Sequence, residues 1–426
     1  MIEFKPSPLF NDVSLGPPDC SAYWLVTQDG KRIRVGLWKA NTPKGTVFIC
    51  PGYSEYIEKY GKTAKLFLEH GYTSVSLDWR GHGLADRLTS NPLLGHVETF
   101  SDYLKDLDAV IFWAQNFELP KPWFVLGHSA YWLVTQDGKR IRVGLWKANT
   151  PKGTVFICPG YSEYIEKYGK TAKLFLEHGY TSVSLDWRGH GLADRLTSNP
   201  LLGHVETFSD YLKDLDAVIF WAQNFELPKP WFVLGHSMGG AILLRNLHEN
   251  KHFNAAAFSC PMWGIKLSPA LRIFAYIYGN LARFLRLDTN FAPTRSEKGY
   301  FDETFEKNAL TNDPDMWFYL IKQITKHPSL KLGGPSVRWV NSALKETFKL
   351  SKLPSPKIPC ITFLAEDERI VDPARVYNRM EIWPNGILHF IKSARHEVLM
   401  EDIATQKYVI QKTVSFFESK AKSNSA

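Results

Sequence analysis

The chain has 426 residues, of which 44% are hydrophobic and 22% are charged, a composition typical of a soluble globular protein. No uncharged run approaches the length of a membrane span, and the amino terminus lacks the basic patch and apolar run of a signal peptide. The five cysteines show neither metal-ligand spacing nor a disulfide framework, which favours a reducing compartment. We therefore expect a cytoplasmic protein, and the sequence indicates no metal or other cofactor.

The formal net charge of +8 raises the question of an acidic partner. A nucleic acid is not expected, because the chain contains no basic helix, finger or aromatic-studded basic sheet motif. Mild attraction to an anionic membrane surface explains the charge better than a nucleic acid does, and a simply solvated surface explains it better still. The sequence predicts at most transient contact with the inner membrane surface, and it does not predict an oligomeric state.

Residues 22–129 recur letter for letter as residues 130–237. Two copies of this length do not form a stacked repeat array, which needs short repeats in larger number. Complete identity indicates a recent tandem duplication, an artificial tandem or an error in assembling the gene sequence, in preference to a selected two-domain design. With one copy set aside, the remaining length suits a single large α/β domain with an insertion.

The second copy shows an alternation of strands and helices in chain order. A hairpin over residues 130–148 turns at Asp137-Gly138, and the apolar run "TVFICPG" (154–160) is typical of a strand buried on both faces. The spacing of apolar residues then predicts a helix over 164–179, a strand and loop over 181–191, a helix over 208–225 capped by Ser209, and a strand over 231–237.

The alternation continues after the second copy and is interrupted once. We predict a helix over 238–250, a strand over 253–261, strands within 358–367 and 386–397, and a terminal helix over 398–418. Between them, residues 263–350 are rich in helical aromatic segments. The pattern predicts a mostly parallel sheet covered by helices on both faces. The predicted divisions are a leader (1–21), a surplus partial core (22–129), a first core part (130–262), a helical lid (263–350), a second core part (351–418) and a disordered tail (419–426).

The stretch "GHSMGG" follows a predicted strand and precedes a predicted helix. Its Gly-x-Ser-x-Gly pattern is typical of the strained turn from which hydrolases present a nucleophilic serine. A Cβ at Gly235 or Gly239 would collide with the neighbouring strand or helix, so we predict Ser237 as the nucleophile. Ser129 lacks the second glycine and is followed by a strand, so we expect it to be inert.

Two backbone N–H groups are candidates for the oxyanion hole. The helix that follows the elbow turns its free N–H groups towards the nucleophile, which makes Met238 one donor. The loop after "TVFICPG" supplies the second, and we predict the N–H of Tyr161. A simple tight turn is the alternative interpretation of "PGYSE" in isolation.

Several motifs in order carry a resemblance to a known family: "PGYSEYIEKY", "DWRGHGLADR", "GHVETFSDYLKDLDAVI", "GHSMGG", "FLAEDERIVDP" and "ARHEVLME". Together they resemble the lysophospholipase and monoacylglycerol lipase group of α/β hydrolases, and most closely the bacterial lysophospholipase L2 type. The likeness covers nearly all of the chain once one copy is set aside. It implies the α/β-hydrolase fold, hydrolysis of a single fatty acyl ester and a helical lid over the acyl pocket.

In this fold the acid and the base follow the nucleophile along the chain. His396, after the last predicted strand, matches the base position. Asp367 and Glu368 are adjacent candidates for the acid, and the family's spacing before an apolar pair, here Ile370-Val371, selects Glu368. The acid would hold the imidazole of the base in the productive tautomer.

Other residues near these motifs have expected supporting roles. We interpret His236 as a structural contact instead of a base. Asp186, Arg188 and His190 of "DWRGHG" are expected to support the active-site loops, although a solvated position is the alternative. The apolar and basic segment 270–286 is typical either of a lid helix that contacts lipid or of a packed helix.

The sequence thus predicts a serine hydrolase of single-chain lipid esters. Thioesterase, acyltransferase and peptidase activities use the same triad and remain alternatives. A second hypothesis is that the chain is not an enzyme but an inactive or misassembled product of the duplication, which would act, if at all, as a binding protein. We expect the second copy to build the core, because Ser237 and Met238 are covalent neighbours, while the first copy could still donate outer strands.

Overall fold

The computed structural model describes residues 4–52, 55–91, 96–99, 101–126, 129–249 and 252–421. The chain divides into two compact units, Met1–His128 and Ser129–Ala426. The first unit contains the leader and the first copy except its last residue, and the second contains that residue, Ser129, with the second copy and the residues that follow it.

The described part of the first unit forms a six-stranded sheet with three helices. Its strands are β1 (Lys5–Pro6), β2 (Cys20–Val26), β3 (Arg32–Trp38), β4 (Thr46–Ile49), β5 (Thr73–Asp78) and β6 (Trp123–Leu126). Its helices are α1 (Asn11–Ser14), α2 (Gly61–Glu69) and α3 (Asp102–Asn116). The strand order is β1-β2-β3-β5-β4-β6, in which β4 runs parallel to β5 and β6 and the pairs from β1 to β5 are antiparallel. Strand β1 belongs to the predicted leader and pairs with β2, so the leader is part of this sheet.

The second unit is built on an eight-stranded sheet. Its strands are β7 (Ser129–Val134), β8 (Arg140–Trp146), β9 (Thr154–Cys158), β10 (Thr181–Asp186), β11 (Trp231–His236), β12 (Ala255–Ser259), β13 (Cys360–Ala365) and β14 (Gly386–Ile391). They lie in the order β14-β13-β12-β11-β9-β10-β8-β7. The six strands from β14 to β10 are mutually parallel, and the hairpin β7-β8 closes one edge antiparallel. Strands β8 to β11 lie within the second copy, β7 begins one residue before it at Ser129, and β12 to β14 follow it, so the first copy contributes no other residue to this sheet.

Eight helices accompany this sheet in the described part of the second unit. They are α4 (Gly169–Glu177), α5 (Asp210–Asn224), α6 (Ser237–Glu249), α7 (Pro269–Phe284), α8 (Pro314–Lys326), α9 (Val337–Lys352), α10 (Pro373–Glu381) and α11 (Ile403–Ala421). Helix α11 contacts α4, and α5 contacts α6. The strands, turns and helices predicted along the second copy are confirmed, because short apolar runs bounded by Gly, Pro and Asp-Gly identify buried parallel strands and tight turns.

The two copies of the repeated sequence have different surroundings. Tyr164 is fully buried, whereas its counterpart Tyr56 is 43% exposed. Phe232 is also fully buried and stacks on Phe417 of α11 with ring centroids 4.4 Å apart, whereas its counterpart Phe124 is 42% exposed. Since the sequences are identical, the difference comes from the elements that only the second copy has after it, α11 among them.

The segment predicted as a lid carries α7, α8 and α9. Helix α7 lies close against α9, where a Cβ at Gly279 would come within 2.7 Å of Asn341 Cβ. The Tyr276 hydroxyl donates to the Leu344 carbonyl at 2.9 Å and joins the same two helices. Helix α9 continues to Lys352, beyond the predicted end of the segment at residue 350.

Two sequence predictions are wrong at helix ends. Ser209 does not cap α5 with its side chain, because its backbone is already helical. Instead the Asp210 carboxylate accepts the Thr207 N–H at 3.0 Å. The disordered tail predicted from residue 419 is wrong for residues 419–421, which belong to α11. The rest of that tail lies outside the described residues.

Candidate active site

Ser237 lies at the junction of β11 and α6, the position that the elbow pattern predicts. Its φ of 48° is in the left-handed region, which a residue with a side chain rarely adopts without support. A Cβ at Gly239 would come within 2.1 Å of the Cys158 carbonyl oxygen, and a Cβ at Gly235 within 2.6 Å of Leu243 Cδ1. The elbow is therefore packed so closely against β9 and α6 that both glycines are required.

The two predicted oxyanion donors flank this serine. Met238 is the second residue of α6, so its N–H belongs to the first turn, where helical N–H groups have no partner within the helix. Tyr161 follows Gly160, where an added Cβ would lie 3.0 Å from Ser237 Cβ. The Tyr161 hydroxyl donates to the Gly333 carbonyl at 3.1 Å, which anchors this loop to the lid segment. Both donors thus lie on segments that approach the serine.

His396 and Glu368 form a buried pair. Nδ1 of His396 lies 2.7 Å from Oε2 of Glu368, and both side chains are almost completely buried. The other carboxylate oxygen accepts the N–H groups of Ile370 at 2.7 Å and Val371 at 3.1 Å. Burial alone would raise the pKa of Glu368, but His396 and these N–H groups outweigh it and lower the pKa to about 2. The carboxylate is therefore ionised and oriented towards the imidazole.

Asp367, the alternative acid, has a different environment. Its carboxylate is 43% exposed and accepts Nε of Arg369 at 2.8 Å. The structure therefore brings Glu368, and not Asp367, to His396. The ring of His396 in turn lies 4.9 Å from the ring of His236, the residue directly before Ser237.

A network of buried charges lies behind the elbow, and we call Glu163, Lys167, His236 and Glu397 the buried quartet. The Lys167 ammonium is fully buried and forms ion pairs with Glu163 and, at 2.5 Å, with Glu397. His236 Nε2 lies 3.2 Å from Glu397 Oε2 without the alignment of a hydrogen bond, and its Nδ1 faces the Ser259 carbonyl at 3.0 Å. The interpretation of His236 as a structural contact agrees with this position.

Opposite charges within the buried quartet stabilise one another. Burial would lower the pKa of Lys167 and of His236, but the two carboxylates outweigh it and raise both pKa values. Burial would raise the pKa of Glu397, but His236 and Lys167 lower it well below the usual range. The pairing of carboxylates with basic groups offsets the desolvation cost of burying them.

The residues of "DWRGHG" are buried beneath the neighbouring loops. Asp186 accepts Nε of Arg142 and the N–H of Ile165, each at 2.8 Å. Arg188 pairs with Asp137 at the hairpin turn and with Asp214 on α5, both at 2.7 Å. These contacts tie the hairpin, β10 and α5 together, so the solvated alternative does not apply.

His190 of the same motif is also buried. Its Nδ1 faces the Arg188 carbonyl at 3.0 Å, and its ring contacts the ring of Tyr161 edge-on with centroids 5.3 Å apart. Burial lowers the pKa of His190 to about 4. The imidazole is therefore neutral at physiological pH and supports the Tyr161 loop as a packed aromatic ring.

Among the described residues, two buried clusters have side-chain atoms of metal-ligand type within 4.8 Å of one another: Glu163, His236 and Glu397, and Cys260, Glu368 and His396. In the first cluster the Lys167 ammonium already supplies the cation between the carboxylates. In the second, the imidazole of His396 and the carboxylate of Glu368 are hydrogen-bonded to each other. Neither arrangement calls for a metal ion, and the expectation that none is needed stays a prediction.

The family described as "Serine aminopeptidase, S33" (Hydrolase_4) matches residues 41–130 and 149–403. The chain belongs to this family of α/β hydrolases. The match includes most of both copies and extends past His396 to Ile403, the first residue of α11.

Named relatives of this α/β hydrolase act on lipids. The chain is 30% identical over 301 residues to lysophospholipase L2 of Escherichia coli K12, covering 66% of this chain and 85% of that protein. It is 32% identical over 149 residues to monoacylglycerol lipase of Mycolicibacterium smegmatis, covering 34% of this chain and 51% of that protein. A solved monoglyceride lipase of Saccharomyces cerevisiae aligns with a TM-score of 0.55 at 20% identity, over 69% of this chain and 96% of that chain, which shows the shared fold.

Sequence reasoning missed Lys167 and Glu397. Lys167 lies in a predicted amphipathic helix, where lysine normally faces solvent, and only the packed structure shows that it is buried. Glu397 directly follows the predicted base and could have been noticed, since an acidic residue beside a catalytic histidine invites a search for its partner. Nothing in the pattern indicated that the partner would be His236.

Proposed function

We propose that this α/β hydrolase cleaves the fatty acyl ester of lysophospholipid or monoacylglycerol through an acyl-enzyme intermediate. The single observation that carries the proposal is the buried pair of His396 and Glu368, whose imidazole ring lies 4.9 Å from the ring of His236, the residue directly before the strained Ser237 of the glycine-packed elbow. The substrate class comes from the relatives, because their names, lysophospholipase L2 and monoacylglycerol lipase, denote enzymes that hydrolyse single-chain lipid esters.

The geometry supports a two-step mechanism. His396 takes the proton of Ser237 as the hydroxyl oxygen attacks the acyl carbonyl carbon, and Glu368 stabilises the imidazolium that forms. The N–H groups of Met238 and Tyr161 would stabilise the negative oxygen of the tetrahedral intermediate. His396 then gives the proton to the leaving alcohol. A water molecule, activated by the same imidazole, hydrolyses the acyl-serine and releases the fatty acid.

The lid segment provides a surface for the lipid phase. On and just after α7, large apolar side chains are exposed to solvent: Leu271, Ile273, Phe274, Ile277, Leu281, Phe284, Leu285 and Leu287. Exposed basic residues, Arg283 and Arg286, follow on the same segment. An apolar face bordered by cations is suited to the boundary between lipid head groups and acyl chains. We therefore propose transient contact of α7 with a membrane surface, from which a single-chain lipid would enter.

No helix in the described part of the chain has both the length and the apolar composition required to cross a bilayer. The cytoplasmic location indicated by the sequence stays a prediction.

The repeated sequence supplies a matched test of the nucleophile. We expect Ser237→Ala to lower fatty-acid release from lysophosphatidylcholine or monoacylglycerol by roughly 10⁴-fold or more, since residual rates then depend on binding and the oxyanion hole alone. Ser129→Ala changes the serine of the incomplete elbow and should leave the rate unchanged. A fluorophosphonate probe should label Ser237 in the wild-type protein. Undiminished turnover in Ser237→Ala would refute the proposal.

The family description favours one alternative activity, an aminopeptidase. An aminopeptidase would release p-nitroaniline from aminoacyl p-nitroanilides and would release no fatty acid. Its rate would depend on Ser237 in the same way. An inactive binding protein would show neither reaction, and the fluorophosphonate probe would leave the folded protein unlabelled.

A further inference from the structure

Each of the three functional segments is joined in sequence to the buried quartet. Ser237 directly follows His236, and His396 directly precedes Glu397. The loop that carries Tyr161 ends at Glu163, whose carboxylate accepts the N–H of Gly160 from within the same loop. The nucleophile, the base and the second oxyanion donor thus each have a close chain neighbour that contacts the buried charges.

Lys167 is the only member of the buried quartet outside these three segments. Its ammonium joins Glu163, in the loop of Tyr161 (the oxyanion loop), to Glu397, in the loop of His396. Among the described residues, His236 is the one other basic group between these two carboxylates, with Nε2 at 3.5 Å from Glu163 and 3.2 Å from Glu397. Tyr168, the next residue, donates to the second oxygen of Glu163 at 2.5 Å and fixes that carboxylate from the other side. Glu163 therefore has little freedom while Lys167 is charged.

We propose that Lys167 is a positioning residue, which holds the oxyanion loop and the loop of His396 in register with the elbow serine through its ion pairs with Glu163 and Glu397. The inference rests on the proposed function and deepens it. Without the ammonium, two buried carboxylates would face each other with only His236 to neutralise them, and like charges in a dry site repel. The two loops would separate, and the oxyanion donor and the base would leave their positions at Ser237.

The first copy offers a control of identical local sequence. Lys59 is the counterpart of Lys167 and also pairs with Glu55, the counterpart of Glu163, but the Lys59 side chain is 51% exposed. Tyr60 and the Gly52 N–H contact Glu55 as their counterparts contact Glu163. The local motif therefore forms in both units, whereas the bridge to Glu397 exists only in the second unit.

The experiment compares Lys167→Met with Lys59→Met in the full chain. We expect Lys167→Met to lower kcat about 100-fold with little change in KM, because a displacement of about 1 Å at the reacting groups costs this much while substrate binding persists. Lys59→Met should match the wild type. Lys167→Arg keeps the charge and the bridge, so it should restore kcat to within about tenfold of the wild type.

Each rate is divided by the number of sites that the fluorophosphonate probe labels at completion, because the probe labels only folded active sites. A purely structural role would reduce the number of labelled sites and leave kcat per site unchanged, and that result would overturn the inference. Lys167→Met combined with Glu397→Gln removes one carboxylate together with the ammonium, so two carboxylates no longer face each other, and this protects the fold while removing the bridge. This double variant should also lose about 100-fold in kcat per site, and wild-type kcat in it would overturn the inference as well.

The two proposals fail in different ways. If the wild-type protein hydrolyses lipid esters while the Lys167 variants keep full kcat per site, the positioning role is wrong and the proposed function stands. If the wild-type protein neither hydrolyses esters nor reacts with the probe, both are wrong.

Discussion

Two neighbouring carboxylates show how surroundings decide a residue's role. Glu368 is buried, bonded to His396 and to two backbone N–H groups, whereas Asp367 pairs with Arg369 at the surface. A carboxylate that orients the base must be desolvated and aimed at Nδ1, and only Glu368 meets both conditions.

We expect Glu368→Ala to lower kcat for ester hydrolysis by roughly 10³- to 10⁴-fold, since His396 would lose both its tautomer and its counter-charge. Asp367→Ala removes only a surface ion pair and should stay close to the wild-type rate. Steady-state hydrolysis by the two variants measures the difference. A larger loss in Asp367→Ala than in Glu368→Ala would show that the alternative acid is the functional one.

At the scale of secondary-structure elements, α7 buries its small residues and exposes its large apolar ones. Its small residues Gly279 and Ala282 are buried, Gly279 against Asn341 of α9, while large apolar residues remain exposed. Close packing through small residues brings the two helices together. The bulky apolar side chains of α7 are left free to contact a lipid surface.

We expect Ile273→Glu combined with Ile277→Glu to weaken binding to vesicles of anionic phospholipid by about tenfold or more, because a charge on the apolar face must be buried in the lipid interface. Hydrolysis of a short, water-soluble ester should persist in this variant. Ile382→Glu, which alters a similarly exposed isoleucine after α10, should bind vesicles like the wild type. Co-sedimentation with vesicles measures both, and equal binding by all three proteins would exclude α7 as the contact.

The elements of the second unit were predictable from sequence because they depend on local patterns. Apolar runs such as "TVFIC" form buried strands, and the turn at Asp137-Gly138 follows from its residues. Ser237 was predictable because its glycines serve a local turn. The choice of Glu368 over Asp367 required the family's spacing, since both residues are acidic and adjacent.

What could not be predicted depends on contacts between distant segments. Lys167 and Glu397 are 230 positions apart, and no periodicity connects them. Ser209 failed as a cap because Thr207 and Asp210 already close the start of α5. Identical sequences also gave different burial at Tyr56 and Tyr164, which shows that tertiary partners decide exposure.

At the scale of the whole molecule, the two units differ in the size of their cores. Among the residues that the structure describes, the second unit has one large continuous cluster of buried apolar residues, whereas the first has two small ones. A small core buries a smaller fraction of its surface and is correspondingly less stable.

We expect limited proteolysis to cleave the first unit well before the second, because local opening is easier where fewer apolar groups are buried. The surviving fragment should begin near residue 129, keep the carboxyl-terminal helix and react with the fluorophosphonate probe. Its intact mass identifies it even though the two copies share peptides. Equal protection of both units would contradict this expectation.

The covering of β11 by α11 through Phe232 and Phe417 has a consequence for biosynthesis. A ribosome releases the amino-terminal unit first, and it can fold while the remainder is still being translated. The second sheet must wait for the final helix to leave the exit tunnel before its central strand is shielded. During that interval the nascent chain contains two copies of the same strand sequence with which β12 could pair. The covalent continuity from Ser237 to Met238 keeps β12 and the strands after it close to the second copy.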